Sequence, residues 1–153
     1  MIHFVGAGPG AVDLITVRGQ KLLETADQII YAGSLVNPQL LACAKKDCRI
    51  LDSAGMTLEA VIAAMEEGEG QGWMTVRLHT GDPSVYGAIR EQMDILSQKG
   101  LAYDVVPGVS SFCAAAASLQ AEYTLPGISQ SVIITRMEGR TPVPDKQKIA
   151  DYA

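Results

Sequence analysis

Short apolar runs alternate along this chain with longer segments in which apolar residues recur every three or four positions. Residues 2–5 are apolar and lead into glycines, which predicts a buried strand. Residues 17–26 carry Leu22, Leu23 and Ala26 at helical spacing, and 28–31 predict a second strand. Asn37 and Pro38 suit a helix start, Asn as N-cap and Pro at the first helical position, with Leu40, Leu41 and Ala44 following. Residues 48–51 predict a third strand. Thr57 can cap a helix whose Leu58, Val61, Ile62 and Met65 share one face; the "GEGQG" of 68–72 reads as its stop and turn. Residues 74–78 predict a fourth strand, 88–99 a helix stopped at Gly100, and 103–106 a fifth strand. A small-residue helix over 110–119 and one more strand over 131–135 complete the reading.

Strands alternating with helices define an α/β fold: a mostly parallel five-stranded sheet with helices on both faces. Ligands of such sheets bind beyond the carboxyl ends of the strands. Each of three unusual stretches follows a strand: "GAGPG" the first, "HTGDPSVYG" the fourth and "PGVSS" the fifth. All three are expected to open on one rim, which is a stronger signal than any one loop.

Gly6, Gly8 and Ala11 satisfy the loose dinucleotide fingerprint G-x-G-x-x-G/A. The second strand ends "IIYAGS" without the acidic residue that would hold a ribose, and Pro9 removes an N–H from the turn, so nicotinamide and flavin are disfavoured. In "TGDPSVYG", Gly81 permits close backbone approach, Asp82 can accept hydrogen bonds from a ligand or from loop N–H groups, and Pro83 fixes φ. A plain D-P turn is the alternative there. In "PGVSS", Pro107 and Gly108 turn the chain and Ser110 can cap a helix. Ser110 and Ser111 have no histidine suitably placed, which argues against a hydrolase. His79 reads as strand-end packing or as a ligand contact, and Tyr86 as a stacking or a packing residue. Arg136 and Arg140 can meet an anion or lie in a solvated linker.

The net charge is −5 and the pI about 4.9, with no basic run, which argues against nucleic acid. No apolar run approaches the roughly 18 residues of a membrane span. Met1 leads directly into a strand pattern rather than a signal peptide, so a cytoplasmic location is expected. Cys43, Cys48 and Cys113 lack zinc-site spacing and read as buried or half-buried thiols in a reducing compartment.

Taken in order, "GAGPG", "YAGSLV", "HTGDPSVYGA", "VVPGVSSFCAAAA" and "IITRMEGRTPVP" resemble the tetrapyrrole methylase family. "GDPSVYGA" with "EGRTPVP" resembles the branch acting at carbon 11 of precorrin-4 or cobalt-precorrin-4 in cobalamin biosynthesis. The resemblance implies an S-adenosylmethionine-dependent methyltransferase with a tetrapyrrole substrate, usually a homodimer, and no metal held by the protein. It implies that Pro9, Thr80, Gly81, Asp82, Val85, Ser110 and Ser111 line the cofactor site. Relatives commonly carry Asp directly after G-P-G, where this chain has Ala11, so no catalytic base is assigned. Residues 1–136 are expected to form the cofactor-binding domain, and 137–153 a linker into a further domain. Little turnover is expected of this chain alone. A non-catalytic α/β nucleotide-binding or regulatory domain is the alternative function.

Overall fold

A computed structural model describes residues 1–33, 35–139 and 142–152. Ser34, Arg140, Thr141 and Ala153 lie outside the described residues, and with Arg140 goes one of the two candidate anion contacts. The chain divides into two compact units, Met1–Ala115 and Ala116–Ala153.

The first unit is a five-stranded, all-parallel sheet. Its strands are β1 (Ile2–Gly6), β2 (Gln28–Tyr31), β3 (Arg49–Asp52), β4 (Thr75–His79) and β5 (Tyr103–Val106), in the order β3-β2-β4-β1-β5. Its helices are α1 (Val17–Thr25), α2 (Leu58–Gly70) and α3 (Ile89–Gln98); α4 (Ser111–Ser118) begins in this unit. Alternation along each strand divides the apolar side chains between two layers. Val5, Ile29, Val76 and Leu78 pack with Leu23 of α1 on one face. Ile2, Phe4 and Ile30 pack with Ile62 and Met65 of α2 and Leu96 of α3 on the other. The α/β reading with helices on both faces therefore holds.

Local chemistry sets the helix starts. Thr16 accepts from the Gly19 N–H at the head of α1, and Thr57 from the Ala60 N–H at the head of α2. Asn37 caps as expected, accepting from the Gln39 N–H, but the turn it opens is a 3₁₀ segment, Pro38–Cys43. Its bonds close over three residues, from the Leu40 N–H to the Asn37 carbonyl and from the Ala44 N–H to the Leu41 carbonyl.

The stop expected over 68–72 holds: α2 ends at Gly70, and a Cβ at Gly68, within its last turn, would stand 2.6 Å from Thr75 Oγ1, so this glycine lets α2 lie close on β4. One sequence expectation needs correction. Residues 131–135 form no strand, although Val132, Ile133 and Ile134 have strand character. A strand needs a neighbouring edge, and the strand ladders among the described residues do not include this run. The second unit holds the end of α4, a bridge between Leu125 and Ser129, a 3₁₀ turn at Ile149–Tyr152, and buried Val143.

No helix among the described residues is long and apolar enough to cross a membrane.

Candidate functional site

β1 lies between β4 and β5, so the three glycine-bearing loops leave the sheet side by side. Gly6 is in register with His79, and Val5 with Val106. Beyond the strand ends the loops join. Gly8 and Gly81 exchange backbone hydrogen bonds of 3.2 and 2.8 Å, and the Ala7 N–H donates to the His79 carbonyl at 2.7 Å. A Cβ on Gly6 would lie 2.5 Å from Gly108 Cα, and one on Gly108 would lie 2.1 Å from the Gly81 carbonyl oxygen. One glycine from each loop thus packs backbone to backbone, and no side chain fits at that junction. Close approach here is first of all an approach of the loops to one another.

Asp82 completes the junction. Its Oδ1 accepts from the Ser84 N–H at 2.8 Å and its Oδ2 from the Gly108 N–H at 2.9 Å. Of the two sequence alternatives for this carboxylate, the bonds to loop N–H groups are the ones the structure contains.

On this rim a cavity of about 330 Å³ opens beside the loop after β4. Thr80, Gly81, Asp82, Val85, Ser110 and Ser111 line it, six of the seven residues the resemblance implies. Pro9 is not among the lining residues; it sits in the turn beyond the Gly8–Gly81 bridge. His79 and Tyr86 also line the cavity, as do Ala32 and Leu35 from the segment after β2. Two residues beside Gly87 hold unusual backbone: Tyr86 at φ 57° and Ala88 at φ 50°. A Cβ on Gly87 would lie 2.1 Å from the Pro83 carbonyl oxygen, so the loop curls tightly back on itself.

The cavity has a polar floor. His79 is 4% exposed, and its Nε2 has no hydrogen-bond partner among the described residues; neither has the buried Oγ1 of Thr80. Burial, with the charge of Arg77 adding to it, pushes the His79 pKa down to about 3, so the ring is neutral near pH 7. Arg77 is 7% exposed and lines the same cavity. Its Nε donates to Gln92 Oε1 and its Nη1 to the Ile30 carbonyl, both at 3.3 Å. Burial lowers its pKa to about 10. Sequence reasoning missed Arg77. The signal was present: a cation between the apolar Val76 and Leu78 in a strand predicted to lie inside the sheet.

Among the described residues no group of three or more His, Cys, Asp or Glu stands together.

Glycine-rich loops on the carboxyl rim of a parallel sheet define a small-ligand α/β protein. The chain belongs to the tetrapyrrole (corrin/porphyrin) methylases, whose family model matches residues 1–153. It is 58% identical over 152 residues to the cobalt-precorrin-4 C(11)-methyltransferase of Methanocaldococcus jannaschii, covering 99% of this chain and 59% of that relative. The X-ray structure of the cobalt precorrin-4 methyltransferase CbiF matches with a TM-score of 0.95 at 50% identity, over 99% of this chain and 63% of that one. The uroporphyrin-III C-methyltransferase of Thermus thermophilus, solved complexed with S-adenyl homocysteine, matches with a TM-score of 0.71 at 29% identity, over 85% of this chain and 52% of that one. The chain therefore spans about three fifths of the M. jannaschii relative and of the CbiF chain.

Proposed function

We propose that the rim pocket of this chain binds S-adenosylmethionine, and that the chain is the donor-binding part of a methyltransferase acting at carbon 11 of precorrin-4 or cobalt-precorrin-4. The observation that carries the reading is the convergence of six expected donor residues, Thr80, Gly81, Asp82, Val85, Ser110 and Ser111, on one cavity. The orphaned Nε2 of His79 and Oγ1 of Thr80 support it, because buried polar groups without partners mark where a ligand's polar groups complete the bonding. Family membership and the names of the relatives favour this reading over a non-catalytic nucleotide-binding domain.

When bound, S-adenosylmethionine supplies an electrophilic methyl group on a sulfonium. The protein's task is then to position and to exclude water. The Gly8–Gly81 bridge and the Asp82–Gly108 bond fix the loop backbones. Val85 and Leu35 give the cavity apolar walls. Neutral His79 adds no second positive charge beside Arg77, which keeps the pocket tolerant of a cationic donor. Held by Thr80, Gly81, Asp82, Val85, Ser110 and Ser111, the donor would supply that methyl group to a nucleophilic carbon of the tetrapyrrole.

Residues 1–136 are read as the donor-binding part and 137–153 as a linker, within a cytoplasmic homodimer. The test is thermal denaturation of the chain with S-adenosylhomocysteine, NADH or ATP. Protection by S-adenosylhomocysteine alone is expected. Equal protection by NADH or ATP contradicts the reading.

A further inference from the structure

Arg77, which lines the pocket, has no counter-ion among the described residues. A guanidinium carries five N–H donors. Two of those on Arg77 are used, one on Gln92 and one on the Ile30 carbonyl, and the remainder, including both on Nη2, meet no acceptor among the described residues. Among the described residues no carboxylate pairs with Arg77; Asp82, which lines the same cavity, is engaged with the Ser84 and Gly108 N–H groups. A buried charge held only by neutral acceptors is costly, and such cations are ordinarily paired. Here the unpaired side chain is more than nine-tenths buried and lines a cavity that two further orphaned polar groups also line.

We infer that Arg77 is the anion-binding residue of this pocket, and that its unused N–H groups receive a carboxylate of the bound ligand. The inference rests on the reading that this pocket serves methyl transfer. Two ligands there carry carboxylates: the amino-acid end of the donor and the acidic side chains of a tetrapyrrole. Either would neutralise the cation, and a carboxylate can take paired N–H bonds from a guanidinium. The Thr80 hydroxyl can donate from the same cavity, as can neutral His79 through Nε2 in the tautomer that carries its proton there. The hydrogen bond from Gln92 Nε2 to the Ala88 carbonyl at 3.1 Å links Arg77 onward to the left-handed turn that opens α3. Anion binding is thereby joined to the wall formed by Tyr86 and Gly87.

The test is calorimetric titration of three proteins, the wild-type chain, Arg77→Met and Gln92→Glu. The probes are S-adenosylhomocysteine, its decarboxylated analogue, and uroporphyrin as a carboxylated tetrapyrrole. Gln92→Glu sets an internal counter-ion against Arg77 while retaining the cation, so it reports even if Arg77→Met fails to fold. If the donor's carboxylate is the anion, wild type prefers S-adenosylhomocysteine to the decarboxylated analogue by about tenfold or more, and both variants lose that preference. If the tetrapyrrole supplies it, S-adenosylhomocysteine binds all three proteins alike, and uroporphyrin binds the variants about tenfold more weakly. Both carboxylated probes binding all three proteins alike overturns the inference and leaves the donor reading standing. Absence of S-adenosylhomocysteine binding together with variant-sensitive uroporphyrin binding does the reverse. Wild type binding neither carboxylated probe overturns both.

Discussion

Asp82 Oδ2 accepts the Gly108 N–H at 2.9 Å, and that bond ties the loop after β4 to the loop after β5. Its other oxygen holds the Ser84 N–H at 2.8 Å, so one side chain sets both the local turn and the spacing between loops. Asp82→Ala leaves both N–H groups without their acceptor. We expect a loss of about 1–3 kcal/mol in unfolding free energy, read by urea denaturation, and weaker binding of S-adenosylhomocysteine. Unchanged stability would show that the loops hold their spacing without this carboxylate.

The glycine junction makes a sharper demand. Gly108→Ala would press a Cβ to 2.1 Å from the Gly81 carbonyl oxygen, backbone that cannot swing aside. Gly55→Ala meets nothing within 4 Å and has no positive φ to strain. We expect Gly108→Ala to cost about 2–3 kcal/mol or more and Gly55→Ala to stay within about 0.5 kcal/mol, by thermal or urea unfolding. Equal effects would remove steric exclusion as the reason for glycine at the junction.

His79 gives a pH signature. Its pKa of about 3 in the fold lies below the 6.5 of an unstructured histidine, so between those values the unfolded chain holds the extra proton. The contribution is fully present above pH 6.5 and is lost as pH falls from there toward 3. One proton sets its limiting slope at about 1.4 kcal/mol per pH unit. His79→Gln should flatten the stability profile across that window, measured by urea titration at stepped pH. A variant profile parallel to wild type would mean that the ring is not buried neutral.

Much of this was legible from periodicity and position. The parallel sheet with helices on both faces followed from strands alternating with helices, and Ile2, Phe4 and Ile30 do pack on one face while Ile29, Val76 and Leu78 pack on the other. The shared rim followed from glycines placed after strands 1, 4 and 5, and it needed only the rule for where α/β sheets bind. Three things were not legible. The role of Gly68 depends on the distance between α2 and β4, a packing fact that no local pattern encodes. The strand expected over 131–135 has the composition of one, but pairing is a property of two segments, and the described sheet does not take this run in. Arg77 was passed over because apolar periodicity reads strands by their apolar residues, and an isolated cation registers as an interruption.

The loops after β4 and β5 are proposed to hold the methyl donor, and hydrogen exchange tests this most directly. The chain is exchanged with and without saturating S-adenosylhomocysteine, and protection is read peptide by peptide. We expect slowed exchange in 80–87 and 108–111 with little change in β3 (Arg49–Asp52), on the far edge of the sheet. Protection absent from those loops, or confined to other segments, would contradict the account.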